Sequence, residues 1–375
     1  MNTVNRSLRD SLRTPLFNAF FLQNRMFSSN PNEVLVEDVN GKKILTLNRP
    51  KALNALNLNM VQLLYKQLKK VNDEKSSDLV ILKGMGEKAF CAGGDVLAVT
   101  NSYKAGTSFH EDFFVEEYRL NQLIRYLSVP FVALINGITM GGGCGVSVNG
   151  RFQVATEHTM LAMPETALGL FPDVGGTYFL SRLKNQLGMF LALTGYRLRG
   201  ADVFHAGLAS HYANSKTLPE LQNALVNLSK SESSNDAVNA ILHKFFPSTI
   251  PSFSLEPHLQ EINTTFSGET LEEIFVNLES SNTDFAKKQL EQLHKMSPTS
   301  LKVTFRQIRM GEGLDYPDVI PIETRLTQRF LQDHDFHEGC RAILVDKDRN
   351  PKWKPSKIED VSEKKVNWYF GDVSR

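Results

Sequence analysis

Two short runs without a polar residue, Leu79–Leu82 and Phe131–Ile135, limit most strongly what this chain can become. Four or five consecutive apolar residues are too few for a buried helix. They suit a strand covered on both faces, as in a parallel sheet packed between other layers. Glycines follow each run: Gly84 and Gly86 after the first, Gly141, Gly142, Gly143 and Gly145 after the second. Phe152–Ala155 reads as a third buried strand, and residues 113–127 between the runs have helical amphipathic spacing. Ahead of them, Val34–Val39 and Lys43–Leu47 flank Asn40-Gly41, a tight-turn pair that predicts a hairpin. Asn57 is placed to cap a helix in which Val61, Leu64, Leu68 and Val71 form one apolar stripe. Strand, loop, helix and strand in rotation predict an α/β fold of stacked ββα units rather than a bundle or a sandwich.

Helices dominate further on. Gln186–Thr194 stops at Gly195 and Ala201–Ala206 at Gly207. Strand signals fade after about residue 215, and residues 216–310 read as amphipathic helices joined by polar loops. The longest polar stretch, Ser229–Asn235, reads as a loop or linker. The expected organisation is a leader over 1–30, an α/β core over 31–215 and a helical C-terminal region over 216–375. The leader carries Arg6, Arg9, Arg13 and Arg25 against the single acid Asp10, with serines between and Leu8, Leu12, Leu16 and Phe20 at helical spacing. That pattern predicts a mitochondrial presequence and a matrix protein, with cleavage close to Ser28.

Bulk properties narrow the function. Forty-two basic residues against 41 acidic ones give no whole-protein field to draw in nucleic acid or an anionic membrane. Cys91, Cys144 and Cys340 are odd in number and widely spaced, which argues against a disulfide framework or a CxxC metal site. No apolar run approaches the roughly 20 residues of a spanning helix. His334 and His337 lack the Glu of HExxH and a third ligand, so no metal is expected and both are read as interface or cap residues. Ser147 and Ser181 lack a GxSxG setting.

Cys91-Ala92-Gly93-Gly94-Asp95 and Met140-Gly141-Gly142-Gly143 fit neither a phosphate loop nor a dinucleotide fingerprint. Glycine does let a ligand approach the main chain. Two N–H groups converging on one oxygen would make an oxyanion hole; otherwise these glycines are turns at strand ends.

Three segments, Arg49-Pro-Lys-Ala-Leu-Asn54, Ala89-Phe-Cys-Ala-Gly-Gly-Asp95 and Asn136–Gly143, resemble the crotonase (enoyl-CoA hydratase/isomerase) superfamily, with the likeness running from about Glu33 to Gly207. The resemblance implies a crotonase-type spiral and an oxyanion hole from the amides of Gly94 and Gly142. It also implies a coenzyme A site along Lys51, Ala52 and Leu53 and along Ala92, Gly93, Asp95 and Val96, with Lys51 beside a CoA phosphate. In hydratases of this family a glutamate follows the glycine cluster; here the matching residue is Gly145, which cannot transfer a proton. The family's other glutamate matches Glu165, and Asp173 follows in Gly169-Leu-Phe-Pro-Asp173-Val-Gly-Gly176.

That aspartate, Glu116-Glu117-Tyr118, and the segments His334–Ala342 and Pro351–Pro355 resemble the 3-hydroxyisobutyryl-CoA hydrolase branch. The expected activity is therefore thioester hydrolysis of a small 3-hydroxyacyl-CoA in valine breakdown, 3-hydroxypropionyl-CoA fitting nearly the same pocket. No cofactor is expected beyond the coenzyme A of the substrate. Glu165 is assigned as the main catalytic carboxylate, either attacking the carbonyl or activating water. Asp173 would position water or protonate the leaving group, and Glu117, with Glu116 as its rival, would meet the substrate hydroxyl. Met160, Met163 and Phe171 are expected to wall the pocket. Two other readings remain at this point: an isomerase or hydratase of the same fold, and a non-catalytic subunit of a mitochondrial assembly. Crotonases often form trimers, which places a homo-oligomer among the expected assemblies.

Overall fold

The computed structural model describes residues 30–107, 109–230 and 233–371. The expected presequence, Asn30 apart, lies outside them, as do Ser231 and Glu232 of the polar stretch. Among the described residues there are ten strands: β1 (Val34–Val39), β2 (Lys42–Leu47), β3 (Val80–Gly84), β4 (Ala89–Cys91), β5 (Phe131–Ile135), β6 (Ile138–Met140), β7 (Phe152–Ala155), β8 (Met160–Ala162), β9 (Leu198–Arg199) and β10 (His211–Tyr212). The helices of the first part are α1 (Leu58–Glu74), α2 (Val96–Lys104), α3 (Phe109–Arg125), α4 (Gly142–Val148), α5 (Gly176–Ser181), α6 (Leu187–Thr194) and α7 (Asp202–His205). Beyond β10 the described elements are helical: α8 (Leu218–Val226), α9 (Asn235–Lys244), α10 (Leu259–Thr265), α11 (Leu271–Ser281), α12 (Asp284–Leu293), α13 (Pro298–Gly311), α14 (Tyr316–Gln332), α15 (His334–Cys340) and α16 (Glu363–Phe370), with short 3-10 and π turns between them.

β1 and β2 form the predicted hairpin, Val34 opposite Leu47 and Val39 opposite Lys42. Asn40 and Gly41 both turn at positive φ, +50° and +74°, as a two-residue hairpin loop requires. β2 then continues into a parallel ladder, giving a six-stranded sheet in the order β1-β2-β3-β5-β7-β10. Side chains alternate across this sheet. Leu45, Val80, Leu82, Ala133 and Ile135 join the main core with α1, while Ile44, Ile81, Val132, Leu134 and Val154 face Leu221, Leu225, Val238 and Leu242 of α8 and α9. Covered on both faces, these strands have no use for a polar side, which accounts for the uninterrupted apolar runs.

The Asn57 side chain accepts the Met60 N–H at 2.9 Å and starts α1. Val61, Leu64, Leu68 and Val71 are fully buried, each worth roughly 1.5–3 kcal/mol. The smaller sheet, β4-β6-β8-β9, has strands of only two or three residues. It carries the two glycine clusters, Gly93-Gly94 just beyond β4 and Gly141-Gly142 just beyond β6. Helices α13 and α14 from the far end of the chain pack against α5 and α6 and reach the same region.

Candidate active site

Gly94 forms an isolated parallel bridge with Leu56: the Leu56 N–H donates to Gly93 O at 2.8 Å and the Asp95 N–H to Leu56 O at 2.7 Å. Extended backbone alternates, so the N–H of Gly94 points away from Leu56. Gly142 opens α4, and its N–H belongs to the first turn, which has no partner within the helix. Gly93 and Gly141 adopt φ of +110° and +48°, which bends both chains into place. The two segments approach closely: a Cβ on Gly142 would lie 3.2 Å from Gly94 N and would collide with Glu117 Oε1.

Three carboxylates surround these glycines. Glu165 starts a 3-10 turn, Glu165–Leu168, that ends on left-handed Gly169. Its Oε1 stands 2.7 Å from where a side chain on Gly141 would begin. Glu117 projects from α3, and Asp173 lies on the loop before α5. All three are buried, at 5%, 2% and 4% exposure. Glu165 Oε2 and Glu117 Oε1 have no hydrogen-bond partner, the mark of groups held ready for something else. Burial pushes Glu165 and Glu117 well above the ordinary carboxylate range, and the Asp173 charge adds to both. Burial also raises Asp173, to about 7, against a hydrogen bond from Tyr118 that lowers it. Crowded carboxylates of this kind divide into proton donors and acceptors near neutral pH.

These groups line one cavity of about 430 Å³. Ala52, Ala92, Gly93, Gly94, Asp95, Val96, Gly142, Glu117, Glu165 and Asp173 all border it. Lys51 and Leu53 do not: Lys51 is solvent-exposed on the turn Pro50–Ala52, and Leu53 ends that turn in the left-handed region. Asp95 caps α2 and pairs with Arg49 at 3.3 Å. Glu116 turns aside to Arg119, which places Glu117 alone in the cavity.

The expected apolar wall needs correction. Met163 and Phe171 are buried in the core, Phe171 stacked on Phe330, and Met160 borders no part of the cavity. Phe113, Phe114, Met140, Leu168 and Leu170 form the wall, with Ile343, Leu344 and Lys347 closing it from the far end of the chain. Helical amphipathicity marks Phe113 and Phe114 as inward-facing, but nothing in the sequence marks 343–347. His337 stacks on Tyr103 and bonds the Leu331 carbonyl through Nε2, and His334 meets Asp335.

The loop bearing Asp173 is held unusually. Val174 sits at φ +52°, a region that β-branched residues avoid. Asn149 Nδ2 donates to the Val174 carbonyl at 2.8 Å and Gln307 Nε2 to the Pro172 carbonyl at 2.6 Å. Glu323 accepts the N–H groups of Gly175 and Thr177 at 2.8 and 3.0 Å. The Tyr118 hydroxyl donates to Asp173 Oδ2 at 2.8 Å and shares a 2.6 Å hydrogen bond with Thr327. Gly145 packs under this loop, where a Cβ would lie 2.6 Å from Val174 Cβ and 3.0 Å from the Asn121 amide. A side chain at the position of the hydratase glutamate therefore has no room.

A model of the enoyl-CoA hydratase/isomerase family matches residues 42–370. The mitochondrial 3-hydroxyisobutyryl-CoA hydrolase of Gallus gallus is 50% identical over 340 residues, 90% of this chain and 88% of that one. The protein of that name from Homo sapiens is 49% identical over 341 residues, 90% of this chain and 88% of that one. Among solved structures, a carnitinyl-CoA dehydratase from Mycobacterium thermoresistibile superposes with a TM-score of 0.84 at 36% identity, over 91% of this chain and 97% of that one. An enoyl-CoA hydratase from Rhodobacter sphaeroides gives 0.81 at 35% identity, over 90% and 97%.

Proposed function

This chain belongs to the enoyl-CoA hydratase/isomerase family, and on that premise we propose that it hydrolyses the thioester of 3-hydroxyisobutyryl-CoA to the free hydroxy acid and coenzyme A. The observation that carries this reading is the meeting of Glu117, Glu165 and Asp173 with Gly94 and Gly142 around one small cavity. The names of the relatives that share half its residues support the same activity. The filled space at Gly145 speaks against two-glutamate hydration.

In the proposed reaction the thioester oxygen rests between the N–H groups of Gly94 and Gly142. They stabilise the anion formed as the carbonyl becomes tetrahedral, at about 3–4 kcal/mol per donor. Glu165, its Oε2 without a partner, takes a proton from water as the water adds, or adds itself to the carbonyl and is released by water afterwards. Asp173, raised to about 7 by its burial, is protonated in about half of the molecules at neutral pH, and in these its proton passes to the departing thiolate. The balance is one water consumed and one acid and one thiol formed. Glu117 Oε1 is placed to accept a hydrogen bond from a hydroxyl on C3 of the acyl group. 3-Hydroxypropionyl-CoA carries the same hydroxyl and is expected to react. The chemistry draws on no cofactor beyond the coenzyme A of the substrate.

The relatives' names place them in mitochondria, and the arginine-rich leader supports import of this chain to the matrix. No helix among the described residues is long and apolar enough to cross a membrane. A homo-oligomer is proposed from the habit of the fold. The deciding test is a thiol-release assay on 3-hydroxyisobutyryl-CoA, 3-hydroxypropionyl-CoA and isobutyryl-CoA beside an enoyl-CoA isomerisation assay. Fast release from the two hydroxylated esters is expected; dominant isomerisation or hydration would overturn the proposal.

A further inference from the structure

One face of α14 addresses the loop of Asp173 twice. Glu323 and Thr327 stand one helical turn apart and project from the same side. Glu323 is fully buried, and its two oxygens take the N–H groups of Gly175 and Thr177, immediately beyond Asp173. Thr327 holds the Tyr118 hydroxyl, which donates to the Asp173 carboxylate. The same loop keeps Val174 in a conformation that costs about 1–3 kcal/mol and persists only where neighbours over-determine it. A buried carboxylate is a costly way to anchor two amides, since an apolar packing residue would avoid its desolvation. Its place beside the strained residue suggests that what it secures is geometry.

We infer that Glu323 and Thr327 are positioning residues that fix the backbone and the carboxyl orientation of Asp173, so that the helical C-terminal region sets the second carboxylate of the site. The inference rests on the proposed role of Asp173 and adds the residues that make that role possible. Gln307 on α13 supports the loop from its other end, at the Pro172 carbonyl. The titratable groups that face Asp173 are Glu117 and Tyr118 from α3, Cys144 from α4, Glu165 from its turn and Glu323 itself. None is a cation, so burial is left to hold the Asp173 proton. A loosened loop admits water and moves its titration toward the ordinary carboxylate range.

The test compares Glu323→Gln, Thr327→Val and Asp173→Asn in the full chain. Activity is normalised to the fraction that binds CoA, and kcat is followed across pH. Glu323→Gln is expected to lower kcat between about ten- and a hundredfold with KM little changed, as a displaced catalytic group does. The limb of its pH profile that reports Asp173 should move to lower pH. Thr327→Val, which keeps the side-chain shape and removes only the hydroxyl, should shift the same limb by a smaller amount and decides the matter if Glu323→Gln does not fold. Wild-type kcat and pH profile in the folded variants, with Asp173→Asn inactive, would overturn the inference alone. A fully active Asp173→Asn would instead remove the role of Asp173 on which it rests.

Discussion

The carboxylate of Glu117 occupies the space into which any side chain at Gly142 would have to grow. The same Cβ would also stand 3.2 Å from the Gly94 nitrogen, between the two amides assigned to the thioester oxygen. Gly142→Ala should therefore reduce kcat at least about a hundredfold by blocking that position. It lies in the first turn of a helix at ordinary φ, and the atom it would strike is the end of the flexible Glu117 side chain, so the fold should tolerate it once that carboxylate shifts. Thermal unfolding close to wild type together with lost turnover is the expected pair of results, and retained turnover would contradict the oxyanion assignment.

Glu165→Gln keeps the shape of the side chain and removes its charge. Turnover should fall by at least about a thousandfold, since both forms of the mechanism need the carboxylate. Binding of a CoA ester, followed by calorimetry, should survive because the cavity is preserved. A variant that still turns over would eliminate both forms at once.

Glu117→Gln tests selectivity. A buried acceptor meant for a hydroxyl discriminates strongly against substrates without one. The variant should lose kcat/KM on 3-hydroxyisobutyryl-CoA by about ten- to a hundredfold and approach the wild-type value on isobutyryl-CoA. Equal losses on both esters would show that Glu117 serves the chemistry rather than the hydroxyl.

Asp173 gives a stability prediction with a definite sign. Folding raises it from an ordinary 3.8 to about 7, so the unfolded chain binds fewer protons between those values and stability falls as pH rises through that window. Below about pH 4 both states are protonated and nothing is lost. Asp173→Asn should then be more stable than wild type at about pH 8, by up to roughly 4 kcal/mol, and show no such gain at about pH 4. Denaturant unfolding at the two pH values measures this; equal differences at both would mean the carboxyl is not the source.

Lys51 stands in solvent beside the cavity rather than in it. The role expected for it, contact with the phosphates of coenzyme A, would affect only the long substrate. Lys51→Ala should raise KM several-fold for the CoA ester and leave an N-acetylcysteamine thioester of the same acid unaffected. Parallel effects on both would place Lys51 outside the nucleotide site.

The long parallel strands were legible because both their faces are covered, which writes itself as unbroken apolar runs at 79–82 and 131–135. The hairpin and the cap at Asn57 were legible because local chemistry determines them. The strands of the smaller sheet were not, since two or three residues such as Leu198–Arg199 carry no period to detect. Glu165, Asp173 and the glycines were found through a resemblance, and the structure brings them together around one cavity. Met163 and Phe171 were misplaced because an apolar residue near a catalytic one reads alike whether it lines a pocket or packs beneath it. Ile343, Leu344, Glu323 and Thr327 lie more than a hundred residues from the carboxylates they serve, and sequence spacing has no means of reporting such a meeting.

That distance makes the reaction chamber a joint product of two parts of the chain. The wall supplied by Ile343, Leu344 and Lys347 comes from the helical C-terminal region, while the glycines and carboxylates it covers come from the α/β core. An α/β core folded without that region would hold its glycines and glutamates under an open roof.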